Sequence, residues 1–204
     1  MASARSLLSR LTAPFRLGEV EDLRGVIIDD PLDLSDAAVP NIDLTGAVFH
    51  APVNLRGVTF GGLAWFEDVT FHAAVDFSRS RFISDARFIG SRFKQTATFS
   101  SAEFRGVAGF DRAEFSDVAF LDRMTCFGNL SMDQTRFRAA ASLQDTECLG
   151  GLWCNRTNFS ARPDVRGLEV HGRTWFVGAM FGGSPAAASP SAFAQIRSFG
   201  LQWL

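Results

Sequence analysis

The sequence predicts an all-β solenoid, and three observations carry that expectation. Apolar residues recur at alternating steps of five and six. A small residue stands two places before most of them. The chain also carries 21 Phe and 18 Gly, both weak helix formers. Stepping from Leu55 reaches Phe60, Phe66, Phe71, Phe77, Phe82 and so on to Phe181 without meeting a polar residue in 24 positions. At the 47% hydrophobic content of the chain, chance gives such a run roughly once in 10⁸ trials for a fixed register. The residue two earlier is small at Ala64, Ala86, Ala97, Ala102, Ala108, Ala113, Ala119 and Ala179.

An 11-residue period can also describe a right-handed coiled coil. On a helix, however, a step of five turns about 140°, which places the two Phe sets on opposing sides rather than along one seam. In extended chain, residues two apart point the same way. The odd step to the next apolar residue then requires a corner in every repeat. Short sides with regular corners, stacked lap on lap, make a β-solenoid.

Taken in order, residues 1–18 carry Arg5, Arg10 and Arg16 and no acid, and the Leu8, Leu11, Phe15 spacing suits a short helix capping the first coil. The solenoid is expected over 19–181. Its register runs through Leu23, Ile28, Leu34 and Val39, then falls one residue short before Leu44, with Pro40 at the slip. Residues 182–191, Gly-Gly-Ser-Pro-Ala-Ala-Ala-Ser-Pro-Ser, are expected to be a linker. Residues 192–204, with Phe193, Ile196 and Phe199, are expected to form a helix for capping or dimerisation.

The runs Ala97-Thr-Phe-Ser-Ser-Ala-Glu-Phe104 and Ala108-Gly-Phe-Asp-Arg-Ala-Glu-Phe115 resemble the A-x-F/L-x-x consensus of pentapeptide-repeat proteins. The resemblance covers roughly residues 23–181. It implies a right-handed, quadrilateral parallel β-helix with one repeat per side. Every second repeat here is one residue longer. A coil therefore closes after two short and two long repeats, the interval from Phe71 to Phe93, and the extra residue falls at two opposite corners. About seven coils at ~4.8 Å give a rod of roughly 35 Å.

A lap of that length sorts the chain into columns. Phe71, Phe93, Phe115, Phe137, Phe159 and Phe181 make an interior ladder. Cys126 and Cys148 become stacked inward neighbours, with Cys154 one side further on, and are expected to be reduced core side chains. His50 and His72 stack outward with Lys94 next; two imidazoles without a third ligand favour a solvated turn over a metal site. Trp65, Trp153 and Trp175 share an outward column, and Ile83, Phe127 and Leu149 share another around the adjoining corner. Such an apolar strip marks a contact surface. The segment ending in Phe193, Ile196, Phe199 and Trp203 could fold over it, and a second copy could do so as well.

Function is bounded mainly by exclusion. Motifs for nucleophilic, phosphate-binding or metalloprotease chemistry are missing, and a filled solenoid leaves no interior pocket, so no enzyme and no cofactor or metal is expected. The formal charge of −2 gives no reason to expect direct nucleic-acid binding. An odd count of three Cys without CxxC spacing indicates no disulfide framework, and with no apolar leader or membrane span the expected location is cytoplasmic. The leading expectation is a protein-protein interaction scaffold. The resemblance adds a homodimer built through the C-terminal coils. It also offers an alternative, a DNA mimic that binds DNA gyrase or topoisomerase IV and protects against quinolones or other topoisomerase poisons. Mimicry needs outward acids in columns, yet Glu67, Ile89, Asp111, Asp133 and Asn155 are half acidic and lie beside Arg112 and Arg156. Only Glu19, Glu21, Asp22, Asp29, Asp30, Asp33, Asp36 and Asp43, opposed by Arg24 alone, could form an acidic face.

Overall fold

The computed structural model describes residues 4–13, 18–188 and 194–204. Four parallel sheets form four faces, with nine, nine, six and eight strands among the described residues and about seven laps in all. We name the faces A to D in the order the chain visits them. On one lap they carry Ala64–Trp65, Thr70–Phe71, Val75–Asp76 and Arg81–Phe82. Strands this short hold because all but those that end a sheet are paired on both sides: Phe66 N–H donates to Arg87 O at 2.7 Å, and Phe88 N–H to Gly109 O at 2.6 Å.

The expected register is present. All 24 apolar positions from Leu55 to Phe181 are at most 4% exposed. Pairing across the slip joins Ala38 to Thr59, one position short of the full lap that joins Ile42 to Ala64. On face B the rings from Phe49 to Phe159 stack at 4.5–5.3 Å with planes within 10° of parallel. Phe181 ends the ladder edge-on to Phe159 at 75°. Rings from faces A and C meet edge to face across the axis, Phe88 with Phe99 at 5.3 Å and Phe99 with Phe110 at 5.1 Å. Stacking along the rod and T-shaped contact across it are the two arrangements that the ring quadrupole favours.

The two kinds of corner differ. The shorter steps, A to B and C to D, turn with a left-handed residue such as Asp68 at φ 54° or Arg123 at φ 53°. Val69 N–H closes the first of these on Phe66 O. The longer step from D to A is lined by Gly106, Gly128, Gly150, Gly172 and Gly200, and laps approach there so closely that a Cβ on Gly150 would lie 2.5 Å from Gly128 C. Buried hydroxyls close other gaps: Thr135 Oγ1 donates to Phe110 O and Thr157 Oγ1 to Met132 O, both at 2.6 Å.

The N-terminal helix is Ala4–Leu11, and Leu7 and Leu11, not Leu8, turn into the core. A spacing of four places that pair on one face, whereas Leu8 is exposed and Phe15 lies outside the described residues. The pair roofs an apolar cavity of about 20 Å³ above Leu32, Leu34 and Phe49.

The C-terminal helix expected over 192–204 is not formed by the described residues 194–204. Arg197–Ser198 pairs parallel with Glu169–Val170 on face D, and Gln202–Trp203 with Thr174–Trp175 on face A. Ile196 and Ser198 keep the strand period, and Gly200 extends the glycine corner, so the segment closes a further partial lap. That lap, from Glu169 to Arg197, is longer than the others because the expected linker doubles back. Ser184–Pro185 pairs antiparallel with Met180–Phe181, followed by a 3-10 turn at Ala186–Ala188. Phe193 lies outside the described residues.

Candidate functional site

Face A presents the column Asp43, Trp65, Arg87, Gly109, Ser131, Trp153, Trp175, Trp203, each paired to the next. The structure thus brings Trp153 and Trp175 together, their rings 6.0 Å apart, while Trp65 shares the column four laps away. Trp203 joins them at 5.0 Å from Trp175, carried by a strand. Arg173 lies over its ring at 5.9 Å. The indole N–H groups of Trp65 and Trp175 are buried without an acceptor among the described residues.

Around the D-to-A corner, the backbone N–H groups of Ile83, Arg105, Phe127, Leu149, His171 and Phe199 each bond to the preceding lap, which aligns these side chains. Phe127, Leu149 and Phe199 are exposed, and His171 stacks on Phe199 at 4.8 Å. Ile83 is set apart by Arg105. Two apolar columns therefore converge on the C-terminal laps, where Val177, Leu201 and Leu204 are also exposed. The lengthened last lap hid Phe199 and Trp203 from the regular spacing.

The acidic residues lie differently from a face. Glu21, Asp22 and Asp43 sit on face A, Asp29 and Asp30 follow face B, Asp33 is on face C, and Asp36 is at the next corner. With Glu19 they make a collar around the first lap and the start of the second. Much of it is paired: Arg10 binds Glu21, Arg24 binds Asp22 at 2.7 Å, and His50 Nδ1 lies 2.6 Å from Asp29. The Arg24 guanidinium lowers the Asp22 carboxyl to about 2.

The potential metal ligands are explained by local pairing. His50 and His72 are stacked at 4.9 Å, as the column requires, but His50 is turned to Asp29. Glu147, Glu169 and His171 cluster on face D, where Arg197 already binds Glu169 and His171 Nε2 lies 3.2 Å from Glu147. Cys126 and Cys148 are register partners, and all three thiols are free and fully buried. The neighbouring Cys148 thiol and burial push Cys126 well above the usual thiol range, and burial does the same to Cys154.

The sequence model of the family described as Pentapeptide repeats matches residues 34–81 and 73–114. This is a pentapeptide-repeat chain. The matched segment lies wholly within the four-faced rod, so repeats and faces are one feature seen twice. No curated protein matches the chain. No helix among the described residues is long and apolar enough to cross a membrane. In this pentapeptide-repeat solenoid every inward position from Leu55 to Phe181 is filled, so the chemistry available to a partner lies on the outer faces.

Proposed function

We propose that the chain is a non-catalytic interaction scaffold whose protein partner docks on the C-terminal laps of faces A and D. The first such partner is a second copy of the chain. One observation carries this reading: the Trp153, Trp175, Trp203 ladder lies beside Phe127, Leu149 and Phe199 and runs to an open rod end. At that end Arg197–Ser198 and Gln202–Trp203 are the last strands of their sheets among the described residues. Aromatic anchors beside an open strand edge suit a two-fold contact, because each copy offers what the other lacks. Binding to gyrase or topoisomerase IV as a duplex mimic is less well supported. The acids ring one end of the rod instead of forming a long negative column.

Light scattering on the intact chain tests the proposal. A dimer mass is expected, converting to a monomer mass in Phe127→Arg/Trp153→Arg with the melting temperature kept, since both side chains are exposed. A monomeric wild type with no co-purifying protein removes the reading. Gyrase inhibition that survives in the double variant would favour mimicry.

A further inference from the structure

Face B carries a feature that neither the scaffold nor its dimer contact uses. Its central column reads Thr70, Arg92, Glu114, Arg136, Asn158 by strand pairing. The column on one side holds Asp68, Gly90 and Arg112, and that on the other holds Lys94 and Arg138. Arg92, Arg112 and Arg136 surround a groove of about 340 Å³, whose remaining lining is Asp68, Gly90 and Glu114.

The groove owes its shape to two local facts. Gly90 occupies a left-handed corner with no side chain, between laps that carry Asp68 and Arg112 there. Glu114 leans away, its two oxygens accepting from Arg138 Nε and Nη2 at 2.8 and 3.2 Å. That guanidinium holds the Glu114 carboxyl below its usual range. Arg92 and Arg112 make no ion pair among the described residues, and Arg136 feels Glu114 only at longer range. What sets these three exposed guanidiniums apart is that they converge on one recess.

We infer that this recess binds a phosphate-bearing anion, held by Arg92, Arg112 and Arg136. Guanidinium forks match phosphoryl oxygens two at a time, and a recess of this size suits a compact group better than a broad protein face. Asp68 at the foot sets the orientation, since the anion must sit towards Arg112 and Arg136. The site is independent of the dimer contact, which lies on other faces.

Calorimetric titration of the full chain with inorganic tripolyphosphate in low-salt buffer tests the inference. Saturable one-to-one binding is expected, weakening as salt rises. Arg92→Gln/Arg136→Gln should lose roughly tenfold or more in affinity, corresponding to at least one charge-assisted bond. Arg79→Gln/Arg123→Gln, at the C-to-D corner, should bind like wild type. All four side chains are exposed, so melting temperature should be unchanged in both. Lack of saturable binding, or equal loss in both variants, overturns the site. A glutamate oligomer of equal charge that competes as well as tripolyphosphate overturns the phosphoryl assignment. Co-sedimentation with phosphatidylcholine vesicles containing about one-fifth phosphatidic acid assigns a lipid headgroup if they bind and a soluble phosphate if they do not, provided tripolyphosphate competes in the first case.

Discussion

Phe99 stacks on Phe77 at 4.7 Å and meets Phe88, Phe93 and Phe110 edge-on, with no exposed surface. Cutting it to Ala removes a ring that neighbouring laps cannot collapse to replace, because their backbones are fixed by pairing. Phe99→Ala should cost about 3–5 kcal/mol in chemical denaturation. The thiols give a second test at this scale. Cys126 and Cys154 are held protonated by their surroundings and have no path to solvent. An aromatic disulfide reagent should therefore label none of the three cysteines in the native protein and all three after denaturation. Asp22 supplies a pH test. Its carboxyl is depressed from 3.8 to about 2 by Arg24, so its contribution is complete above the unfolded value and is lost as pH falls from about 4 towards 2. Asp22→Asn should lower the melting temperature slightly at neutral pH, where the exposed pair is intact, and converge with wild type near pH 2, so that the acid limb is flatter within that window.

At the scale of the repeat, the two corner types set opposite demands on Gly. Gly150→Ala would push a methyl group to 2.5 Å from Gly128 C, and only movement of one lap away from the next can relieve it. It should destabilise by at least about 2 kcal/mol, towards the upper range of ordinary point changes. Arg123, by contrast, is a left-handed residue with a Cβ. Arg123→Gly should be neutral or stabilising by up to about 1 kcal/mol, once relief of strain is set against added chain entropy. Both corners were legible in principle. Gly106, Gly128, Gly150 and Gly172 recur once per lap, the same interval that sorted Phe and Trp into columns. Arg92 and Arg136, two laps apart, obey the same rule. The placement of Phe199, Gly200 and Trp203 on a further lap was illegible for a definite reason. The antiparallel return at Ser184–Pro185 lengthens one lap and breaks the count, and a short apolar run at spacing three is as good a helix signal as a strand signal.

For the whole molecule, each lap touches only the laps beside it, so stability is a chain of neighbour terms and the ends need closing. The ends are closed unequally. Leu7 and Leu11 cover the first lap over a cavity of about 20 Å³, and Arg10 ties the helix to Glu21. At the other end the last partial lap rests on two-residue strands after an insertion, and Leu201 and Leu204 are at least half exposed. Between them, the laps from Phe66 to Phe115 are filled by Phe on all four faces. Local opening should therefore follow position along the rod. Hydrogen exchange read by mass spectrometry should find slowest exchange at Ala86–Arg87, Ala97–Thr98 and their pairing partners. It should be fastest at Gln202–Trp203, and intermediate at Ile27–Ile28 beneath the helix cap. Leu7→Asp should speed exchange in the first two laps and leave the Phe-filled centre unchanged. Uniform acceleration along the rod would mean that it unfolds as one cooperative block and that the neighbour-by-neighbour account is wrong.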